Sequence, residues 1–167
     1  VKASVNSLQS FPHLNAELHQ DELIVKKYYD IGIAVATDEG LVVPVLRGAD
    51  KLSSAEIELG IAELATKSRE KKITLQELQG GTFSITNGGV FGSLMSTPLL
   101  NPPQVGILGM HKIMEKPLAV DGEIVIRPVM MLAVTNDHRI IDVSMAVQFL
   151  VRIKNLLEDP YQLLIDA

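Results

Sequence analysis

Apolar positions in the first fifty residues follow two rhythms. Val1, Val5 and Leu8 recur at helical spacing and predict a helix over residues 1–10, stopped at the Phe11–Pro12 step because proline disfavours further helix. Residues 22–27 and 29–37 then read as strands. In the second, Ile31, Ile33 and Val35 alternate with the small residues Gly32, Ala34 and Ala36, so both faces are expected to be buried. Asp38, Glu39 and Gly40 make a turn, and residues 41–46 return as a strand whose Pro44 belongs at an edge or bulge. Together these predict a β-meander with the opening helix on one face.

Ser53-Ser-Ala-Glu56 is a capping box, followed by Ile57, Ile61, Leu64 and Ala65 on one stripe of a helix running to about residue 71. A second box, Thr74-Leu-Gln-Glu77, opens a short helix that stops at Gly80 and Gly81. Residues 82–86 read as a strand. Residues 87–103 form a long loop dense in Gly, Ser and Pro. Loops of that length are functional or disordered, and this one carries too many apolar residues (Val90, Phe91, Leu94, Met95, Leu99, Leu100) for a solvated linker. Residues 105–110 form a strand, 118–120 and 123–129 a hairpin around Asp121-Gly122, and 130–136 an apolar strand that delivers Asp137 and His138. The Met130–Met131 pair is expected in the core. Over residues 143–157 an amphipathic helix is predicted, with Val143, Val147, Leu150, Val151 and Leu157 facing inward. Leu163, Leu164 and Ile165 end the chain in an apolar cluster that either docks on another subunit or covers its own core. Strands and helices mixed with hairpins, without a strict βαβ rhythm, indicate an α+β, mixed-sheet domain.

Bulk properties narrow the choices. A chain of 167 residues, 47% hydrophobic, supports one domain with a sizeable core. A formal charge of −5 and a pI near 5.3 argue against nucleic-acid binding, which calls for a basic face. No apolar run approaches the roughly 18 residues of a membrane helix, so no membrane partner is expected. The absence of cysteine removes disulfides, a Cys nucleophile and thiolate metal sites. The chain enters a helical pattern at Val1 without an initiator Met or a cap, which reads as a fragment beginning inside a domain.

Two segments carry chemistry. His138 ends the strand over 130–136, with Asp142 four positions later at the mouth of the last helix. A neutral imidazole is suited to taking a proton from a thiol near pH 7. The same spacing also fits Asp142 as a helix N-cap with His138 as a strand-end residue bonded to backbone. The second segment, residues 80–98, lets backbone approach a ligand at its glycines and places the Thr86 hydroxyl where a strand ends. It fits equally a structural turn in which Thr86 is a cap. It is not a phosphate loop, because no Lys follows the glycines. His111 also follows a strand, and a structural or surface role is expected for it. His13 and His19 lie in polar, turn-like sequence, and no metal site is expected without converging carboxylates.

The stretch Gly81-Thr-Phe-Ser-Ile-Thr-Asn-Gly-Gly-Val-Phe-Gly-Ser-Leu-Met-Ser-Thr-Pro98, then Asn101-Pro-Pro-Gln104, Ile107-Leu-Gly-Met-His111 and Asp137-His-Arg-Ile-Ile-Asp142, resembles the dihydrolipoamide acyltransferases. These are the core components of the 2-oxoacid dehydrogenase complexes. The Thr86-to-Ser93 segment is most similar to the succinyltransferases of the 2-oxoglutarate complex, an enzyme of the tricarboxylic acid cycle. The resemblance covers essentially the whole chain. It implies a fold like chloramphenicol acetyltransferase and a homotrimer with an active site at each subunit boundary. Trimers would assemble into a larger core, commonly of 24 subunits, that also binds the complex's dehydrogenase components. It implies coenzyme A as a substrate, a lipoyl group on a domain outside this chain, and no metal. His138 would be the general base, Asp142 its acidic partner, and Thr86 of the neighbouring subunit the donor to the oxyanion. Apart from the resemblance, Phe91, Ser93 and Ser96 are expected to line one side of the site and contact coenzyme A, because they follow Thr86 in the glycine-rich loop.

On this resemblance residues 1–167 are a catalytic domain, with the lipoyl domain, the subunit-binding domain and the first part of the catalytic domain outside them. The compartment would be cytoplasm in a bacterium or the mitochondrial matrix in a eukaryote. Where the family usually has Gly after the Asp, this chain has Val143. A backbone with φ > 0 there would be strained by about 1–3 kcal/mol, whereas helical geometry after an Asp142 N-cap would accept valine. Two other readings remain: transfer of an acetyl or branched-chain acyl group, and a structural core that has lost its chemistry.

Overall fold

A computed structural model describes residues 1–20 and 22–165. Its centre is a five-stranded sheet. β3 (Ile31–Ile33), β7 (Phe83–Asn87) and β8 (Gly106–Met110) run parallel in its middle, with β6 (Val45–Leu46) antiparallel at one edge and β11 (Leu132–Asn136) antiparallel at the other. Helices α1 (Lys2–Ser10) and α4 (Val143–Glu158) pack on each other and on one face. The helical face is large and apolar: Leu8, Ile31, Phe83, Phe149 and Ile153 are buried together, and the Phe83 and Phe149 rings meet edge to face at 5.7 Å. The opposite face carries several small residues beside Ile107 and Val45. Gly32, Ser84, Thr86 and Gly109 share it, and the Cβ of Gly32 would come within 2.8 Å of the Ser84 hydroxyl, so that register requires glycine.

The predicted meander is a long interrupted hairpin. Residues 31–37 and 40–46 keep one continuous register, but each strand breaks once, giving β3 and β4 (Val35–Thr37) opposite β6 and β5 (Gly40–Val42). Pro44 lies in the break on its strand; having no N–H, it contributes only its carbonyl, which accepts from Ile33 N. Ala34 N–H meanwhile turns to the carbonyl of Ile85. An additional strand, β1 (Ala16–His19), pairs with β2 (Glu22–Val25), and β2 ends two residues short of the expected boundary.

Both capping boxes form as read. Ser53 and Glu56 cap α2 (Ser54–Arg69), and Thr74 and Glu77 cap α3 (Leu75–Leu78). The predicted hairpin is longer at its start, because β9 (Met114–Val120) begins before residue 118 and pairs along its length with β10 (Glu123–Val129). Met131 is 42% exposed, not in the core.

The face of α4 differs from expectation. Val143, Val147, Val151 and Leu157 are exposed, while Ala146, Phe149, Ile153 and Leu156 point into the core and Leu150 is half-buried. The helix has two apolar stripes, and the one bearing Phe149 reaches both Phe83 and Phe11. Ring burial decided the rotation. Of the terminal cluster, Leu163 packs on the core from α5 (Gln162–Ile165), while the side chains of Leu164 and Ile165 lie outside the described residues. No helix among the described residues is long and apolar enough to cross a membrane.

Candidate active site

Thr86 sits one residue before the end of β7, half-buried on the small-residue face. Two cavities share its wall. The larger, about 900 Å³, runs from Thr86 and Phe91 past Ile33 and Thr37 to Arg69. The smaller, about 390 Å³, is bounded by Thr86, Ser96, Pro98 and Leu100. Gly88 and Ala34 line both.

The loop after Thr86 is ordered by bonds to the end of β8. Gly88 N–H donates to Met110 O (3.0 Å), Lys112 N–H to Ser93 O (2.8 Å) and Ser96 N–H to His111 Nε2 (2.8 Å). Gly89 allows this approach, since a Cβ there would lie 2.4 Å from the His111 carbonyl carbon. His111 is 2% exposed. Because its Nε2 accepts the Ser96 N–H, its proton is on Nδ1, which donates to Met131 O at 2.8 Å. The imidazole is therefore neutral and ties the loop to the start of β11. Its expected structural role holds, but the partner is the loop itself. Among the proposed coenzyme A contacts, Phe91 lines the larger cavity and Ser96 the smaller, while Ser93 is half-buried and holds Lys112 through its carbonyl.

His138 lies elsewhere. Across the ladder Thr86 is level with Gly109, and Gly109 with Ala133, while Asn136 is level with Gly106 at the other end of β8. Three residues of strand rise and two strand spacings separate Thr86 from Asn136 by roughly 14 Å, with His138 further on. One chain thus holds the hydroxyl and the imidazole at opposite ends of its sheet.

The turn bearing His138 is tightly bonded. Asp137 N–H donates to Val105 O, and Asp137 O accepts from both Ile140 N and Ile141 N. His138 itself is exposed and makes no side-chain hydrogen bond among the described residues. Arg139 takes both carboxylate oxygens of Asp137, a bond that holds this carboxyl below the usual carboxylate range. Asp142 is the N-cap of α4, its Oδ1 accepting from Met145 N at 2.7 Å. Val143 is the first helical residue and does not have positive φ, so its replacement of the family glycine carries no backbone strain. Asp142 serves as the cap that the spacing allowed, and its Oδ2 takes no hydrogen bond among the described residues.

No group of three His, Cys, Asp or Glu side chains able to hold a metal occurs among the described residues. A family model described as 2-oxoacid dehydrogenases acyltransferase (catalytic domain) matches residues 1–165. The chain belongs to this family. It is 66% identical over 167 residues to the dihydrolipoyllysine-residue succinyltransferase component of the 2-oxoglutarate dehydrogenase complex of Bacillus subtilis, covering 99% of this chain and 40% of that protein. To the component of the same name in Pseudomonas aeruginosa it is 57% identical, covering 100% of this chain and 41% of that protein. The chain thus spans about 40% of the length of these relatives.

Among solved structures, a probable dihydrolipoamide acetyltransferase from Listeria monocytogenes superimposes with a TM-score of 0.91 at 38% identity, covering 94% of this chain and 67% of that one. The Azotobacter vinelandii dihydrolipoamide acetyltransferase, studied crystallographically and enzymatically for the role of a serine, a histidine and an asparagine in its catalytic mechanism, gives 0.94 at 37% identity. That match covers 98% of this chain and 68% of that one. A chloramphenicol acetyltransferase shares the fold alone, at a TM-score of 0.55 and 12% identity over 93% of this chain and 74% of that one. The α+β, mixed-sheet architecture expected from the sequence is the fold of this family.

Proposed function

We propose that this chain is the catalytic core of a dihydrolipoamide acyltransferase that moves a succinyl group between dihydrolipoamide and coenzyme A. The observation that carries the reading is a match of spacing. In the Azotobacter vinelandii enzyme the serine precedes the histidine by 52 residues and the asparagine follows it by four. Thr86 precedes His138 by 52 and Asp142 follows it by four. A hydroxyl, an imidazole and a short polar side chain occupy the same intervals.

The chemistry is an exchange between thiols. The His138 imidazole takes the proton of the attacking thiol, and the thiolate adds to the thioester carbonyl. The Thr86 hydroxyl donates to the oxyanion of the tetrahedral intermediate. Collapse expels the other sulfur, which recovers the proton from the imidazolium. Asp142 Oδ2 is the acceptor available to orient or balance that imidazolium.

Because Thr86 and His138 lie at opposite ends of one sheet, the site requires two copies, His138 of one facing Thr86 of the next. A homotrimer satisfies this with three equivalent boundaries. A solved neighbour is the cubic core of the pyruvate dehydrogenase multienzyme complex, with a TM-score of 0.94 at 38% identity, covering 98% of this chain and 68% of that one. It supports assembly of such trimers into a larger core, 24 subunits in a cube, that meets the dehydrogenase components. Coenzyme A is then a substrate, and the lipoyl group arrives on a domain outside these residues. The names of the two relatives favour succinyl over acetyl or branched-chain transfer. The absence of strain at Val143 favours an active core over one that has lost its chemistry.

The deciding experiment co-produces Thr86→Ala and His138→Ala chains of the full-length protein and measures succinyl transfer from succinyl-CoA to dihydrolipoamide. Each variant alone should be nearly inactive. Random mixing should restore about a quarter of wild-type activity, since one boundary in four then joins an intact His138 to an intact Thr86. No recovery in mixed assemblies would reject the shared site. Faster turnover of acetyl-CoA than of succinyl-CoA would reject the succinyl assignment.

A further inference from the structure

The His138 turn contains more restraint than a strand end requires. It is anchored before the histidine by Asp137 N–H on Val105 O at 2.9 Å, and after it by Ile141, which is fully buried. Asn136 Nδ2 crosses the turn to Ile141 O at 3.0 Å. Between the anchors His138 and Arg139 are exposed, while Ile140 is half-buried against the core. Within that span, Asp137 Oδ1 accepts the backbone N–H of Arg139 at 3.0 Å, so a side chain from one side of His138 holds the backbone on the other side. Both neighbours of the histidine are tied to each other, and the imidazole is left free for a thiol.

We propose that Asp137 is a positioning residue for His138, its carboxylate oxygen fixing the Arg139 amide and with it the direction in which the imidazole leaves the turn. The proposal rests on the reading of His138 as the base. A purely electrostatic role is disfavoured by the partner that Asp137 already has. The Arg139 guanidinium reaches it through Nε at 2.9 Å from Oδ1 and 3.2 Å from Oδ2, and through Nη2 at 2.5 Å from Oδ2. A charge matched by a guanidinium contributes little field at the neighbouring ring, whereas the bond to the amide acts by geometry. The Asp137 side chain is 17% exposed and Arg139 72% exposed, so the acceptor is sheltered and the guanidinium is the replaceable part.

Steady-state kinetics of the assembled full-length protein separate the possibilities. Asp137→Ala should lower kcat by about 30–100-fold, the scale of a misplaced catalytic group, with KM for coenzyme A within about twofold. Asp137→Asn keeps an oxygen that can accept the Arg139 amide, and should recover kcat to within about threefold of wild type; Arg139→Gln keeps the amide and should do the same. In both, the acidic limb of the kcat/KM profile should stay within about 0.5 pH unit of wild type. An Asp137→Ala protein with wild-type kcat would overturn the proposal. So would an Asp137→Asn protein as slow as the alanine variant, or an acidic limb displaced by a unit. The His138→Ala variant is the reference: normal turnover there would bring down the reading of the base itself, whatever Asp137 does.

Discussion

The two ends of the central sheet are built in opposite ways. At the Thr86 end, the hydroxyl sits on an inner strand, half-buried, between two cavities and under a loop bonded through Gly88 to the end of β8 and through Ser93 and Ser96 to the residues just after it. At the His138 end, the group sits after an edge strand, exposed, on a short turn held by its own neighbours. One end is a receptacle and the other a projection. On the proposed roles, the Thr86 donor gains from being walled in, because preorganisation is its contribution, and the His138 base, reaching into another copy, has to stand proud of its own surface.

The comparison can be broken most severely at the projection. His138→Ala should lower succinyl transfer by about 10³–10⁴-fold, at the upper end of what a general base supplies, without changing assembly size by light scattering. Normal activity would place the base elsewhere. At the receptacle, Thr86→Ala should cost about 10²–10³-fold in kcat, while Thr86→Ser, which keeps the hydroxyl, should stay within about tenfold. Equal losses for serine and alanine would show that the methyl, not the donor, is what matters.

The core beneath both ends is tested on α4. Phe149→Ala should destabilise by about 3–5 kcal/mol in urea titration. Val147→Ala, on the exposed stripe, should change stability by no more than about 0.5 kcal/mol. A comparable loss at Val147 would mean that this stripe is covered by another copy. Gly89→Ala should cost about 1–3 kcal/mol, because the new Cβ meets the His111 backbone and the loop must move. Limited proteolysis should then cut within residues 90–100 faster than in wild type, and an unchanged pattern would show that the loop does not lean on β8.

The smallest effect concerns the Thr74–Glu77 cap, just before β7. Glu77 is lowered to about 2, chiefly by the backbone N–H of Thr74 and then by Lys67. A depressed carboxylate contributes stability above its unfolded pKa and loses it as pH falls through the folded one. Glu77→Gln should therefore flatten the pH dependence of thermal stability between about pH 4.5 and 2 and leave it unchanged in slope above pH 5. An identical acid limb in both proteins would remove the cap from the account.

Local chemistry was legible in the sequence. Both capping boxes, the end of α1 at Phe11–Pro12, and β7, β8 and β10 depend on neighbours within a few residues, and they stand where the pattern placed them to within a residue or two. What escaped depends on distant partners. The rotation of α4 could not be read because Val143, Val147 and Val151 form as good an apolar stripe as Ala146, Phe149 and Ile153, and only the position of Phe83 chooses between them. Met131 reads as core but is exposed, because its backbone rather than its side chain is engaged, by His111. The partner of His111, Ser96, arrives by a loop closure that spacing does not reveal. The candidate site residues can be named from the sequence as types and intervals. Their separation cannot be read there, because it follows from β8 running parallel to β7 and antiparallel to β11.

That crossed arrangement has a consequence for the cell that makes the protein. On the proposed two-copy site, a newly made chain carries both groups yet completes no turnover alone, so it cannot squander an energy-rich thioester while it waits for company. Output then rises more steeply than protein level at low abundance. On that reading, activity is switched on by the crowding of the chains themselves.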